Sequence, residues 1–273
     1  MAQLIDVAEL SGAPRTSLIT LHAKAVESAS RPSILKDRYA AEAMARLDLD
    51  GAPLEMPPGS VTGLAVRARW FDERCRRFIE EHPNACVLNL GCGFDSRVFR
   101  VGPSADVAWF DLDMPVSIAL RRRLYPERDG CTLIASCVIA GDWLAGIPRD
   151  RPTLVIAEGV LPYLPAGEVV PLLNRLVAHF DGGEICFDAY SGAGVRLIAS
   201  TPAVSSTGAD LTWSLDYATS LERDVAGLEL VEETLGYSSE SLATLPDHAR
   251  LALAVWSVVP ALLRTGRLLR YAF

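Results

Sequence analysis

The chain has 273 residues, of which 50% are hydrophobic and 22% charged, and its net charge is −8. This length and apolar content predict a soluble globular unit with a substantial core, and they exclude a disordered or collagen-like chain. The acidic balance argues against DNA or RNA as a partner, because phosphate binding relies on clustered basic side chains. The local cluster Arg121-Arg122-Arg123 is interpreted as a solvated helix face.

Neither a membrane anchor nor a secretion signal is predicted. The longest apolar stretch, 251–263, has 13 residues and contains Pro260, whereas a membrane-spanning helix takes roughly 20. The first residues lack the basic and apolar regions of a signal peptide, so we expect a cytoplasmic protein. The six cysteines contain no CxxC pair, and we expect neither a metal site nor a disulfide framework.

The first 80 residues have a helical pattern. Apolar residues after Ser17 recur at helical spacing, and Ser17 is the predicted N-cap. The predicted helices cover about 17–26, 39–47 and 61–81. The pattern of the chain changes near residue 80, so we predict a helical extension over 1–80 and a core over 81–273.

Short apolar runs alternate with helical segments after residue 85. The runs are 85–90, 106–113, 131–139, 153–158 and 184–190. Runs that are apolar on both faces are typical of buried parallel strands, and their alternation with helices predicts a doubly wound, mostly parallel α/β sheet. The stretch 228–237 is predicted to be an edge strand or a terminal hairpin, and 191–216 a loop near the carboxyl ends of the strands.

A glycine turn follows the first of these strands. Gly91 and Gly93 allow the backbone to approach a ligand and to adopt a positive φ. The third glycine of a dinucleotide motif is missing, since position 96 is Ser, and Asp95 places a negative charge where a pyrophosphate would bind. The turn is therefore expected to suit a ligand without phosphates.

Acidic residues end two further strands, and ligands of such sheets bind at these ends. Asp111 and Asp113 lie about 20 residues after the glycines, where a carboxylate accepts hydrogen bonds from ribose hydroxyls; we favour Asp113. Capping of the next helix is the alternative. Glu158 follows the apolar run TLVIA, so its carboxylate needs a cationic or hydrogen-bonding partner. Capping of a neighbouring turn accounts for Glu158 equally well.

Several sequence blocks together resemble the leucine carboxyl methyltransferase superfamily, especially its TcmP-like branch of polyketide O-methyltransferases. The blocks are KDRYA, RARWFDE, VLNLGCGFDSRVFR, WFDLDMP and VIAEGVLPYL, and they occur in the order of the family. The resemblance covers about residues 15–237. It implies a class I methyltransferase that depends on S-adenosylmethionine (SAM), with the N-terminal extension folding over the cofactor as a lid.

The resemblance also assigns cofactor contacts to particular residues. Lys24 and Arg67 would bind the methionine carboxylate of SAM, and Gly91 would approach the methionine portion. Asp113 would bind the ribose, and Glu158 would face the cofactor near its cationic end.

One position departs from the family pattern. The family usually has an Asp-Leu pair that recognises adenine, and here Val138-Ile139 occupies that position while Asp142-Trp143 is retained. Adenine recognition is therefore assigned to backbone groups or to Asp142. Tyr163 is a candidate for orienting the substrate, with packing as the alternative.

The resemblance implies methyl transfer to a carboxylate, and possible transfer to a hydroxyl, of a small natural product such as a polyketide acid. A carboxylate is ionised at neutral pH and needs no base, whereas a phenol would need one, for which His179 and His248 are candidates. Methylation of a protein C-terminal leucine, an NAD(P)-dependent oxidoreductase and a non-catalytic partner subunit remain alternatives. The oligomeric state is open, and the segment 251–263 suits either a core or an interface.

Overall fold

The structure is a computed structural model that describes residues 4–49, 54–235 and 265–273, together with Asp247 and Arg250. Its N-terminal region contains the helices α1 (Ala13–Ala29), α2 (Arg38–Met44) and α3 (Pro58–Glu81), and the short parallel strands β1 (Ile5–Asp6) and β2 (Leu47–Asp48). The predicted N-cap at Ser17 is wrong. Helix α1 begins after Gly12 with Pro14 in its first turn, and the Ser17 hydroxyl donates to the Pro14 carbonyl.

The centre of the fold is a seven-stranded sheet. Its strands are β3 (Cys86–Leu90), β4 (Ala108–Asp113), β5 (Cys131–Ala135), β6 (Thr153–Ala157), β7 (Gly183–Tyr190), β8 (Glu229–Leu235) and β9 (Gly266–Ala272). Their spatial order is β5-β4-β3-β6-β7-β9-β8. The first five are parallel, and β9 is antiparallel to both neighbours. The predicted mostly parallel α/β sheet is confirmed, and β8 lies at its edge.

Helices connect the strands. They are α4 (Arg97–Val101), α5 (Pro115–Leu124), α6 (Ala166–His179), α7 (Gly192–Ala199), α8 (Pro202–Ser205) and α9 (Leu221–Asp224), with 3-10 turns at Asp142–Gly146, Leu161–Tyr163 and Ala218–Ser220. The prediction of a loop over 191–216 is wrong for α7 and α8. Ser191 caps α7 by accepting a hydrogen bond from the Gly194 amide, so a stretch that begins with two glycines is helical nonetheless.

Apolar side chains cover both faces of the sheet. On one face Trp70 and Phe71 of α3 pack with Val87 of β3, and on the other Leu172 of α6 packs with Val155 of β6. A third cluster joins the N-terminal helices to α5 and to the turn after β3; its buried members include Leu18, Leu21, Phe94, Leu120 and Tyr125. Helices α1 and α2 are thus packed against the carboxyl end of the sheet.

The interpretation of Arg121 as part of a solvated face is wrong, although Arg122 and Arg123 are exposed. Arg121 is buried and forms an ion pair with Asp111. It also donates to the Asp95 carbonyl at 2.6 Å. A buried carboxylate needs such a partner, and α5 supplies it.

None of the helices within the described ranges is long and apolar enough to cross a bilayer. The segment 251–263, the end of the predicted strand 228–237 and His248 lie outside those ranges.

Candidate active site

A cavity of about 780 Å³ lies at the carboxyl ends of the parallel strands, beneath α1 and beside α7 and α8. Cavities that hold small molecules measure roughly 300–1,000 Å³. The predicted site residues that line it are Lys24, Arg67, Gly91, Asp113, Glu158 and Tyr163. The structure therefore brings six of the eight predicted residues together, from five separate segments of the chain.

Glu158, at the end of β6, lies among three cations. Arg67 Nε donates to Glu158 Oε1 at 3.1 Å, and Lys24 Nζ is 3.8 Å from the same oxygen. Arg97 pairs with the other oxygen of Glu158. Lys24 also lies 3.1 Å from Asp95 Oδ1, so one lysine on α1 contacts the ends of both β3 and β6.

These cations keep the carboxylates ionised. Burial opposes ionisation of Glu158, but Lys24, Arg97 and Arg67 outweigh it and lower its pKa to about 2. Burial opposes ionisation of Asp95 in the same way, and Arg100, Arg97 and Lys24 lower its pKa well below the usual range. Both groups are therefore anions at neutral pH and are not proton carriers.

The network continues away from the cavity through residues that the sequence argument missed. Arg97 Nε donates to Asp72 Oδ1 at 2.9 Å, and Arg100 pairs with Asp72, Asp95 and Asp37 at 2.7 Å each. Their signal in the sequence is the Arg97 and Arg100 pair at i, i+3 after the glycine turn. Asp95 is a local partner, whereas Asp37 and Asp72 come from the N-terminal region at sequence separations that no local pattern reveals.

Arg67 faces the cavity and is not a surface residue. Its Nη1 donates to Asp188 Oδ2 at 3.0 Å and to the Tyr190 hydroxyl at 3.1 Å. Its Nη2 lies beside Gly159, where a Cβ would approach to 3.3 Å. Since guanidinium has five N–H donors, the fixed Arg67 group has donors left for a carboxylate.

The glycine turn after β3 is closely packed. Gly91 has φ 56°, and a Cβ at this position would clash with the Val160 side chain. Gly93 has φ 46°, and a Cβ there would come within 2.8 Å of Ser17 on α1. A side chain at Gly93 would occupy the space between α1 and the turn, and one at Gly91 would occupy the space beside Val160.

The two acids of β4 have different environments. Asp113 lines the cavity, and its oxygens accept from the amides of Gly93 and Met114 at 2.7 Å each. Burial raises its pKa, and those amides partly offset the effect. Each carboxylate oxygen has a second lone pair, so Asp113 retains acceptors for hydroxyl groups.

Asp111 is 0% exposed and lies outside the cavity lining. Its oxygens accept from Asn89, Trp109 and Arg121. The prediction of Asp111 as a ribose ligand is therefore corrected, since it anchors β3, β4 and α5 to one another.

The prediction of Asp142 as an adenine ligand is also corrected. Asp142 is exposed, begins a 3-10 turn and lies outside the cavity lining. Tyr163 lines the cavity; burial raises its pKa, and a hydrogen bond with Thr16 partly offsets the effect. His179 Nε2 lies 3.1 Å from the Ile147 carbonyl and also lies outside the cavity lining, so it is not placed to act as a base there.

Comparison with known proteins adds to this geometry. The family model for leucine carboxyl methyltransferase matches residues 17–130. The tetracenomycin polyketide synthesis O-methyltransferase TcmP of Streptomyces glaucescens is 37% identical over 98% of this chain and 99% of its own. This chain belongs to the leucine carboxyl methyltransferase superfamily, on its TcmP-like branch. The SAM-dependent methyltransferase dpfgK of Gibberella zeae is 35% identical over 90% of this chain and 87% of its own.

Two solved structures share the fold. A candidate methyltransferase from Thermobifida fusca has a TM-score of 0.61 and 15% identity, covering 97% of this chain and 96% of its own. A DUF574 family protein from Streptomyces avermitilis has a TM-score of 0.59 and 14% identity, covering 97% and 98%. At these identities the likeness concerns the fold alone.

The chain is thus a SAM-dependent methyltransferase, and its cavity fits that cofactor. SAM carries a carboxylate, an ammonium, a sulfonium and a ribose, but no phosphate. Arg67 retains donors for the carboxylate, and Asp113 retains acceptors for the ribose hydroxyls. The charges of the described ion network balance, with five cations and five carboxylates. The carboxylates are Asp37, Asp72, Asp95, Glu158 and Asp188, and the cations are Lys24, Arg67, Arg76, Arg97 and Arg100.

Proposed function

We propose that this methyltransferase acts on the carboxylate of a small apolar natural product such as a polyketide acid. The observation that carries the proposal is the chemistry of the cavity wall. The described residues that line the cavity include no histidine. Of their carboxylates, Asp95, Glu158 and Asp188 are paired with cations, Asp113 accepts from two backbone amides, and Glu55 is exposed. A carboxylate acceptor, with a pKa of about 4, is ionised without help, whereas a phenol needs a base.

We assign the cofactor contacts on this geometry. Arg67 and Lys24 bind the methionine carboxylate, Gly91 allows the methionine portion to approach the backbone, and Asp113 accepts hydrogen bonds from the ribose. Glu158 faces the cationic end. Bound SAM supplies an electrophilic methyl group on its sulfonium.

The residues of the chain contribute alignment and exclusion of water. Holding two reactants in a reactive geometry lowers a barrier by roughly 7–11 kcal/mol, and a carboxylate acceptor requires no proton transfer. Residues 1–80 act as the lid in this proposal, since Lys24 on α1 contacts both strand ends and Ser17 lies over Gly93. Residues 81–273 form the cofactor-binding core.

The part of the cavity next to α7 and α8 supports an apolar acceptor. Its wall is largely aliphatic, with contributions from Leu164, Leu197, Ile198, Val204 and Leu211. In this proposal the Tyr163 hydroxyl orients the acceptor. The name of TcmP, which refers to polyketide synthesis, agrees with an acceptor of this character.

Methyl transfer from labelled SAM to paired acceptors tests the proposal. Aromatic polyketide acids are compared with the matching phenols that lack the carboxyl group, and with a peptide that ends in leucine. We expect methyl esters from the acids and no product from the other two. Transfer to the phenol or to the peptide, with none to the acids, would contradict the carboxylate assignment.

Replacing Asp113 by Asn tests the ribose assignment. Hydrogen bonds to a charged acceptor contribute about 1.5–3 kcal/mol, so we expect the Kd for SAM to rise about 10-fold to 100-fold in calorimetry. Asp142→Asn is the matched control, because Asp142 is exposed outside the cavity, and its Kd should stay within twofold of the wild type. Equal effects of the two changes would refute the assignment.

A further inference from the structure

The ends of four neighbouring strands place the parts of the cavity in a row. The strands β5, β4, β3 and β6 are adjacent in that order. Asp113 is the last residue of β4, and the other three strands are followed by Val138, Gly91 and Glu158, respectively. Neighbouring strands are about 4.8 Å apart, so the row extends about 14 Å. With the methionine portion at Glu158 and the ribose at Asp113, as the proposed function has it, the base lies at the end of β5.

This end of the cavity, which we call the base end, consists of Met114, Cys137, Val138 and Ile139. All four side chains are apolar or weakly polar. Met114 is partly exposed, Val138 is buried, and Ile139 packs against the core that contains Val138. These side chains can contact the faces and edges of a flat ligand, but they include no carboxylate or amide group.

Two backbone carbonyls at the base end each have two donors. The Cys137 carbonyl accepts from the Ala140 amide at 3.0 Å and from the Ser136 hydroxyl at 3.4 Å. The Val138 carbonyl accepts from Trp143 Nε1 at 3.2 Å and from Arg175 Nη2 at 3.5 Å. Asp142, the acid nearest to residues 137–139 along the chain, is exposed and does not line the cavity. The described side chains of the base end therefore include no strong acceptor for the exocyclic amine of adenine, and the carbonyls of Cys137 and Val138 are engaged.

We infer that this protein binds the base of its cofactor by apolar contact and does not select for the 6-amino group. A site whose buried acceptor pairs with an amine rejects an analogue without it, because the acceptor is left unpaired. The described side chains of the base end include no such acceptor to leave unpaired. Cofactors altered at position 6 of the purine are then bound nearly as well as the natural one.

Binding of two ligands to the wild-type protein tests this inference by calorimetry. The first is S-adenosylhomocysteine (SAH), and the second is its analogue with unsubstituted purine in place of adenine. We expect the two Kd values to agree within threefold. A Kd more than tenfold higher for the purine analogue would overturn the inference and leave the proposed function standing. Binding of neither ligand would overturn both.

Variants identify the residues responsible. Val138→Asp introduces a carboxylate at the base end, and its Kd for SAH is expected to be at least fivefold lower than its Kd for the purine analogue. Val138→Ala should keep the wild-type ratio of the two Kd values. An unchanged ratio in folded Val138→Asp would show that the base lies elsewhere and overturn the inference. So would a changed ratio in Asp142→Asn. The wild-type ratio decides the question if Val138→Asp does not fold.

Discussion

Replacing Glu158 by Gln is expected to raise the Kd for SAM about 100-fold, and the Kd for SAH less than tenfold. Glu158 carries the negative charge at the point where Lys24, Arg67 and Arg97 converge. Without this negative charge, the three cations are left in excess beside the sulfonium of SAM. SAH has no sulfonium, so its binding is expected to weaken less. At an effective dielectric of about 20, a unit charge at 4 Å contributes about 4 kcal/mol, and a 100-fold change corresponds to about 2.7 kcal/mol.

Calorimetry with both ligands measures the two effects, and thermal unfolding confirms that the variant is folded. Glu55→Gln is the matched control, because Glu55 also lines the cavity but is exposed. It should change either Kd by less than twofold. Equal weakening of SAM and SAH by Glu158→Gln would mean that Glu158 does not sense the sulfonium charge.

Replacing Arg97 by Met is expected to lower the free energy of unfolding by about 3–5 kcal/mol. Arg97 is 1% exposed and pairs with Asp72, Asp95 and Glu158. Removing one partner from a buried ion network leaves the opposite charges buried without compensation, which accounts for a loss of this size.

Urea unfolding measures this loss, and Arg69→Met is the matched control on the neighbouring helix. Arg69 pairs with Glu73 at i, i+4, with side chains 36% and 40% exposed. Such surface pairs contribute about 0.2–1 kcal/mol, so the control should lose no more than that. A loss below 1 kcal/mol for Arg97→Met would show that the network does not stabilise the fold.

The sheet could be predicted because buried parallel strands leave a strong local signal. Continuous apolar runs such as Cys86–Leu90 and Thr153–Ala157 end in polar or glycine residues, and that pattern predicts both the strand and the ligand-binding edge. Strand β9 was not predicted. Arg267 and Arg270 interrupt its apolar pattern, and their partners Glu233 and Glu184 lie far away in sequence.

The acids at the strand ends could be predicted as candidates but not told apart. Asp111 and Asp113 are two residues apart, so strand periodicity places them on one face, and they differ by about 6.6 Å in depth. That depth decides which of them meets Arg121 and which lines the cavity. Arg97, Arg100 and Asp37 were missed because Arg97 and Arg100 pair with Asp72, Asp37 and Glu158 at separations of 25 to 63 residues, which local patterns do not encode.

The position of β9 has a consequence for the order of folding. Residues 266–272 pair with β7 on one side and with β8 on the other, although β7 precedes them by about 80 residues. During synthesis, β7 remains an open edge until these residues emerge, and β8 has no neighbour in the described sheet until then. An uncovered edge of this kind can pair with other chains, so a chain shortened before Gly266 is expected to self-associate.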